Sequence, residues 1–200
     1  MDGSKHFSSQ LKIWLGSKKP KTLSDLNEVF YEKSFAVSFV LLMFTPALPL
    51  PTGGITHLFE IAAILLSIEM ILGRRKLWLP KRWEKIDVST IGERKTTNAF
   101  IKKLKWVESH SKPRLRHVIK SGLFLRITGF ILCMLCLAAF LAPPFTGLDT
   151  LPSVGVVLIA LSLILEDIIL YVTGIVVGAI GISTVFVLGT VIFRSFKLWV

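Results

Sequence analysis

The chain is 200 residues long and carries a net charge of +11, yet 52% of it is hydrophobic and its mean hydropathy is +0.64. Only 18% of its residues are charged, against about 25% in a typical soluble domain. That balance excludes an ordinary soluble core and leaves room for one compact membrane bundle.

In chain order, residues 1–21 are polar and lysine-rich, include "GSKKPK", and read as a loose cytoplasmic tail. No secretory leader is expected, because the first long apolar run begins near Ser34 and no small-residue cleavage pattern follows it. "TLSDLNEVFYEK" opens with Thr22 and has Asp25 three residues on, a weak capping-box pattern. Leu23, Leu26 and Phe30 share one face, so Leu23–Lys33 is expected to be an amphipathic lead-in helix.

Ser34–Gly73 holds 40 residues with two charges, Glu60 and Glu69. Pro46, Pro49 and Pro51, followed by Gly53 and Gly54, break this run in the middle, since proline lacks a donor and clashes with the preceding turn. The prediction is a helical hairpin over 22–72 including its lead-in helix, either crossing the membrane twice or re-entrant. Ile127–Leu165 repeats the plan, with Pro143, Pro144, Gly147 and Pro152 at its centre and Asp149 as its one charge. At an offset of 95, Phe35, Leu42, Ala47, Pro49, Ile64, Leu66 and Ser67 match Phe130, Leu137, Ala142, Pro144, Ile159, Leu161 and Ser162. An internal repeat follows, with 122–167 as the second hairpin. Duplicated broken hairpins are a transporter architecture.

Between the two runs, residues 73–121 carry fifteen Lys and Arg against four acids, a net +11 that accounts for the whole excess of the chain. Basic connectors stay on the cytoplasmic side, and their natural partner is an anionic headgroup surface. Trp78, Trp83 and Trp106 interleave with the charges, but no nucleic-acid-binding signature accompanies them, and no nucleic-acid partner is expected. "TTNAFIKKLKWVESH" places Phe100, Ile101, Leu104 and Val107 on one face, an interfacial helix by pattern. The last block, 168–200, is Gly-rich. It is expected to form a fifth membrane helix, which would put Arg194 and Lys197 outside, or a third hairpin. Gly174 and Gly178 form GxxxG, which lets helices approach closely, within one chain or between two copies in a homo-oligomer.

"LPLPTGG", "IEMILGRRKLWLP" and "LPSVGVVLIALSLILEDIILYVTGIVVG" together resemble the ExoD family of bacterial membrane proteins, named for exopolysaccharide synthesis. The likeness runs from about Leu23 to Gly178, and its most specific piece is Gly73-Arg74-Arg75-x-x-Trp78-Leu79-Pro80. It departs from the family pattern at Glu69, where an amide is usual, and at Ile168, where Gly commonly follows the acidic pair. The resemblance implies one multi-pass domain over 22–200 in the bacterial inner membrane, linked to exopolysaccharide production, with no agreed reaction. It also implies structural roles for Pro49, Pro51, Gly53, Gly73, Arg74, Arg75, Trp78, Pro80, Pro144, Gly147 and Pro152.

Ionisable residues inside apolar runs are costly and mark candidate sites. Glu69 lies four residues before Gly73 and either pairs with Arg74 or Arg75 or titrates in the interior. Glu60 falls well inside its helix with His57 one turn earlier, at i, i+3, so the two either share a proton in a polar pocket or face the headgroups. Glu166 and Asp167 form a boundary pair, solvated or paired with Arg126 or the 74–75 arginines. Arg126 is expected to snorkel to the cytoplasmic interface. Cys133 and Cys136 read as small buried residues, since a metal site needs further ligands. No nucleophile–base pair, phosphate cradle or metal cluster is visible, so neither an enzyme nor a cofactor is expected. The function classes carried forward are an all-α membrane protein supporting exopolysaccharide synthesis or export, a small transporter of ions or lipid-linked solutes, and an adaptor using the basic connector to recruit an acidic partner.

Overall fold

The computed structural model describes residues 33–48, 55–74, 105, 108–109, 111, 121–143 and 146–197. The tail, the expected lead-in helix up to Glu32, most of the connector, and Pro49, Pro51, Gly53, Arg75, Trp78, Pro80 and Pro144 lie outside the described residues. Within them the chain is all-helical, with five helices and no strand: α1 (Ser34–Phe44), α2 (Ile55–Ile71), α3 (Gly122–Leu141), α4 (Thr150–Leu165) and α5 (Ile168–Lys197).

The prolines act where the sequence places them. α1 stops at Phe44 because Pro46 has no N–H to continue the ladder, and the chain closes through Ala47 N–H to the Met43 carbonyl at 3.0 Å. Pro152 lies inside α4, not ahead of it: the helix starts at Thr150, so Pro152 occupies the first turn, where its missing donor has no intrahelical acceptor to lose. α2 ends in a Schellman turn. Gly73 takes a left-handed φ of +75°, its N–H bonds to Met70 at 3.1 Å, and the Arg74 N–H bonds to Glu69 at 3.1 Å. α4 ends through the same left-handed step, but a glutamate takes it: Glu166 has φ +59°, and the Asp167 N–H bonds to the Ser162 carbonyl at 3.1 Å.

Side-chain contacts give the order of the bundle. Lys33 at the start of α1 meets Ile164 and Glu166 at the end of α4. Arg126 at the start of α3 lies over Gly73 at the end of α2, and Phe140 at the end of α3 stacks edge-on against His57 at the start of α2. Neighbouring helices therefore run antiparallel around the order α1, α2, α3, α4. Phe39, Leu42, Met43, Ala62, Leu66, Leu132, Cys136, Val156 and Ile159 fill the centre.

The Gly-rich block is one continuous helix, not a third hairpin. It packs antiparallel on α4 with almost no room between the backbones: a Cβ on Gly155 would lie 2.7 Å from Gly178 Cα, and one on Gly174 would lie 2.8 Å from the Ile159 backbone. Small residues at a crossing permit this approach. The GxxxG pair is thus buried within the chain, under α4 and Leu135 of α3.

The outside of the bundle is as apolar as the inside. Leu72, Leu123, Phe130, Ile169, Val176 and Phe186 are all exposed. Helices apolar all round belong in a large core or in lipid. Among the described residues, Gly122–Leu141 and Ile168–Leu188 are long and apolar enough to cross a membrane. α4, at 16 residues, extends about 24 Å, short of a hydrocarbon core of about 30 Å.

Candidate functional site

The six sequence candidates do not form one polar path. They divide between the two ends of the bundle. Glu60 and Glu69 stand nine residues apart on α2, a separation of roughly 13 Å along the axis.

At the connector end, each described polar group does structural work. Glu69 is buried and pairs with Arg74 across 3.8 Å, which favours the ion-pair alternative. Glu166 reaches Lys33 at 3.6 Å, while the Lys33 ammonium also donates to the Ile164 carbonyl at 2.6 Å, covering an orphan acceptor at the end of α4. Asp167, buried, accepts from the Ile169 N–H at 2.8 Å as the N-cap of α5 and from the Ser111 hydroxyl at 2.9 Å. Arg126 is exposed, and a Cβ on Gly73 would lie 3.0 Å from its Nη2. Its guanidinium sits over the C-terminal turn of α2, where a helix favours positive charge. Thr128 and Tyr171 join α3 to α5 through a 3.0 Å hydroxyl pair.

The loop end is different. His57 Nδ1 and Glu60 Oε2 are 2.7 Å apart, and the Glu60 side chain is 0% exposed. Its second oxygen, Oε1, has no hydrogen-bond partner among the described residues. The His57 ring is 30% exposed and braced by Phe140, with ring centroids 5.5 Å apart. Glu60 is thus enclosed by the bundle, and His57 stands between it and the outside. Asp149, in the loop ahead of α4, lies within electrostatic reach of His57. Burial pushes its carboxyl up, opposed by its own backbone N–H, by His57 and by the Thr150 N–H. Cys136 on α3 is buried in the same neighbourhood, and both cysteines are free thiols.

Sequence reasoning missed Asp149 and Lys33 as members of these clusters. Asp149 carried a signal, being the one charge in a 39-residue apolar run. Lys33 carried none, since its partners are more than 130 residues away.

Among the described residues, these features define an all-helical bundle with membrane-length apolar helices and a buried acid held by an imidazole. The chain belongs to the ExoD family: the family's sequence model, described as "Exopolysaccharide synthesis, ExoD", matches residues 8–187. It is also similar to the uncharacterized protein slr1875 of Synechocystis sp., at 26% identity over 184 residues, covering 88% of this chain and 86% of that one. No solved structure matches.

Proposed function

We propose that the protein is a multi-pass inner-membrane component that supports exopolysaccharide synthesis or export without being the polymerase. The observation that carries this reading is the family match over 8–187. The apolar lateral surface of the bundle supports the membrane part of it. In this reading the connector 73–121 faces the cytoplasm, and the two Pro-broken helix pairs are copies of one hairpin. Their matched serines support the duplication: Ser67 donates to the Ile64 carbonyl at 2.7 Å, and Ser162 donates to the Ile159 carbonyl at 2.6 Å. The test is deletion and complementation. Removing the gene should lower exopolysaccharide yield, and restoring the full chain should recover it with the protein in the inner-membrane fraction. An unchanged yield in the deletion strain would refute the role.

A second reading, a small transporter of ions or lipid-linked solutes, is favoured by one feature: a wholly buried glutamate, one oxygen of which no described residue pairs, beside a partly exposed histidine. Intramembrane carboxylates of this kind mark ion and proton pathways. Flux into proteoliposomes that Glu60→Gln leaves unaltered would count against it. The adaptor reading rests on residues 73–121, nearly all outside the described residues.

A further inference from the structure

We propose that Glu60 is a proton-binding site in the interior of the bundle, loaded through His57 from the face that carries Asp149. This deepens the transport reading and rests on it. Glu60 is sealed from the outside, but His57 is not: one ring contacts Glu60 Oε2 at 2.7 Å and keeps 30% of its surface open. The imidazole therefore bridges the accessible face and the buried carboxyl. Asp149 lies close enough to act on His57 and places negative charge on the side from which a cation would arrive.

The ligand follows from the donor set. A buried ionised carboxylate with an oxygen that no described residue pairs is costly unless its charge is paired or neutralised. Among the described residues no three His, Cys, Asp or Glu side chains are arranged to hold a metal ion. The cation that fits the geometry is a proton. In the loading step, a proton from water binds His57 Nε2 and makes the imidazolium. The proton on Nδ1 then moves to Glu60 Oε2, leaving a neutral carboxylic acid and a neutral imidazole protonated on Nε2. Unloading is the reverse. Among the described residues, the groups acting on the pair from other elements are Cys136 and Phe140 of α3 and Asp149 of the loop. The described part of α1 contributes only uncharged side chains, as does α4.

Dicyclohexylcarbodiimide tests this directly, because it is hydrophobic and adds whole to protonated carboxyl groups to leave an N-acylurea. The full chain, reconstituted in phospholipid vesicles, is treated across a pH series and digested for mass spectrometry. The expected result is a label on Glu60 that falls as pH rises and drops to background in Glu60→Gln. Infrared difference spectra of the same vesicles should show a protonated carboxyl band with the same pH dependence, absent from Glu60→Gln. A Glu60 that shows neither label nor band at any pH, or both at an unvarying level, overturns the proposal. If the pH-dependent label is present but solute flux is indifferent to Glu60→Gln, the proton site stands and the transport reading fails.

Discussion

The two helix pairs share a plan of apolar arms around a proline break and differ most in chemistry at two pairs of positions. The offset of 95 that aligns Ser67 with Ser162 sets Glu60 against Gly155 and His57 against Pro152. In the second pair, that face of α4 is where α5 docks: Gly155 meets Gly178, and Pro152 meets Gly181. In the first pair, the same positions hold a buried acid and its imidazole. The difference extends along the helix. Leu58 and Leu72 are 58% and 62% exposed, while their counterparts Ser153 and Asp167 are 0% and 4% exposed. The two helices thus use their faces differently: α4 uses its outer face to hold another helix, and α2 keeps an apolar outer face with a polar centre behind it. A structural face should be sensitive to volume. A functional centre should be insensitive in stability and sensitive in activity.

That contrast can be broken at several points. The largest effect belongs to Gly155→Leu, because the new side chain meets backbone atoms that cannot swing away. A loss of about 3 kcal/mol, the upper range for overpacking, is expected in thermal unfolding in detergent. A normal melting curve would mean that α4 and α5 are not in this register. Next, Asp167→Ala removes the N-cap of α5 and should cost about 1 kcal/mol. Hydrogen exchange should quicken at 168–170 and leave α2 untouched.

A smaller effect of opposite sign is expected from Glu166→Gly. The residue holds a left-handed φ that disfavours a side chain by about 1–2 kcal/mol, and the variant gives up only a partly exposed pair with Lys33. Unfolding should therefore move up slightly. If it moves down, the ion pair matters more than the turn. The smallest change is Glu69→Gln. Arg74 is about half exposed, so the pair should contribute no more than about 0.5 kcal/mol, and less as salt rises.

The helix boundaries near Pro46, Gly73 and Pro143 were legible because proline and glycine act locally, through a missing donor or a left-handed φ. The end of α4 was legible from the acidic pair that closes its apolar run, but the manner of ending was not: no glycine marks the left-handed turn at Glu166, and what stabilises it, the Lys33 contacts with Ile164 and Glu166, joins residues more than 130 apart. The Gly-rich block was ambiguous for a related reason. A run of glycines is read as a break in isolation, but Gly174, Gly178 and Gly181 lie along one face that α4 and α3 cover, so packing restores what propensity withholds. Of the candidate site, the i, i+3 spacing disclosed the His57–Glu60 pair. The division of the remaining acids into a separate structural cluster depends on the order of helices around the bundle, which spacing along one chain does not encode.

The measurement that bears most directly on the account is exopolysaccharide yield in a deletion strain complemented with Glu60→Leu, alongside the amount of protein in the membrane. Replacing a buried acid with a leucine of similar volume is expected to leave stability unchanged or raise it. The account predicts a variant that accumulates like the parent and gives no more polymer than the empty vector. Full yield from an equal amount of variant would contradict it.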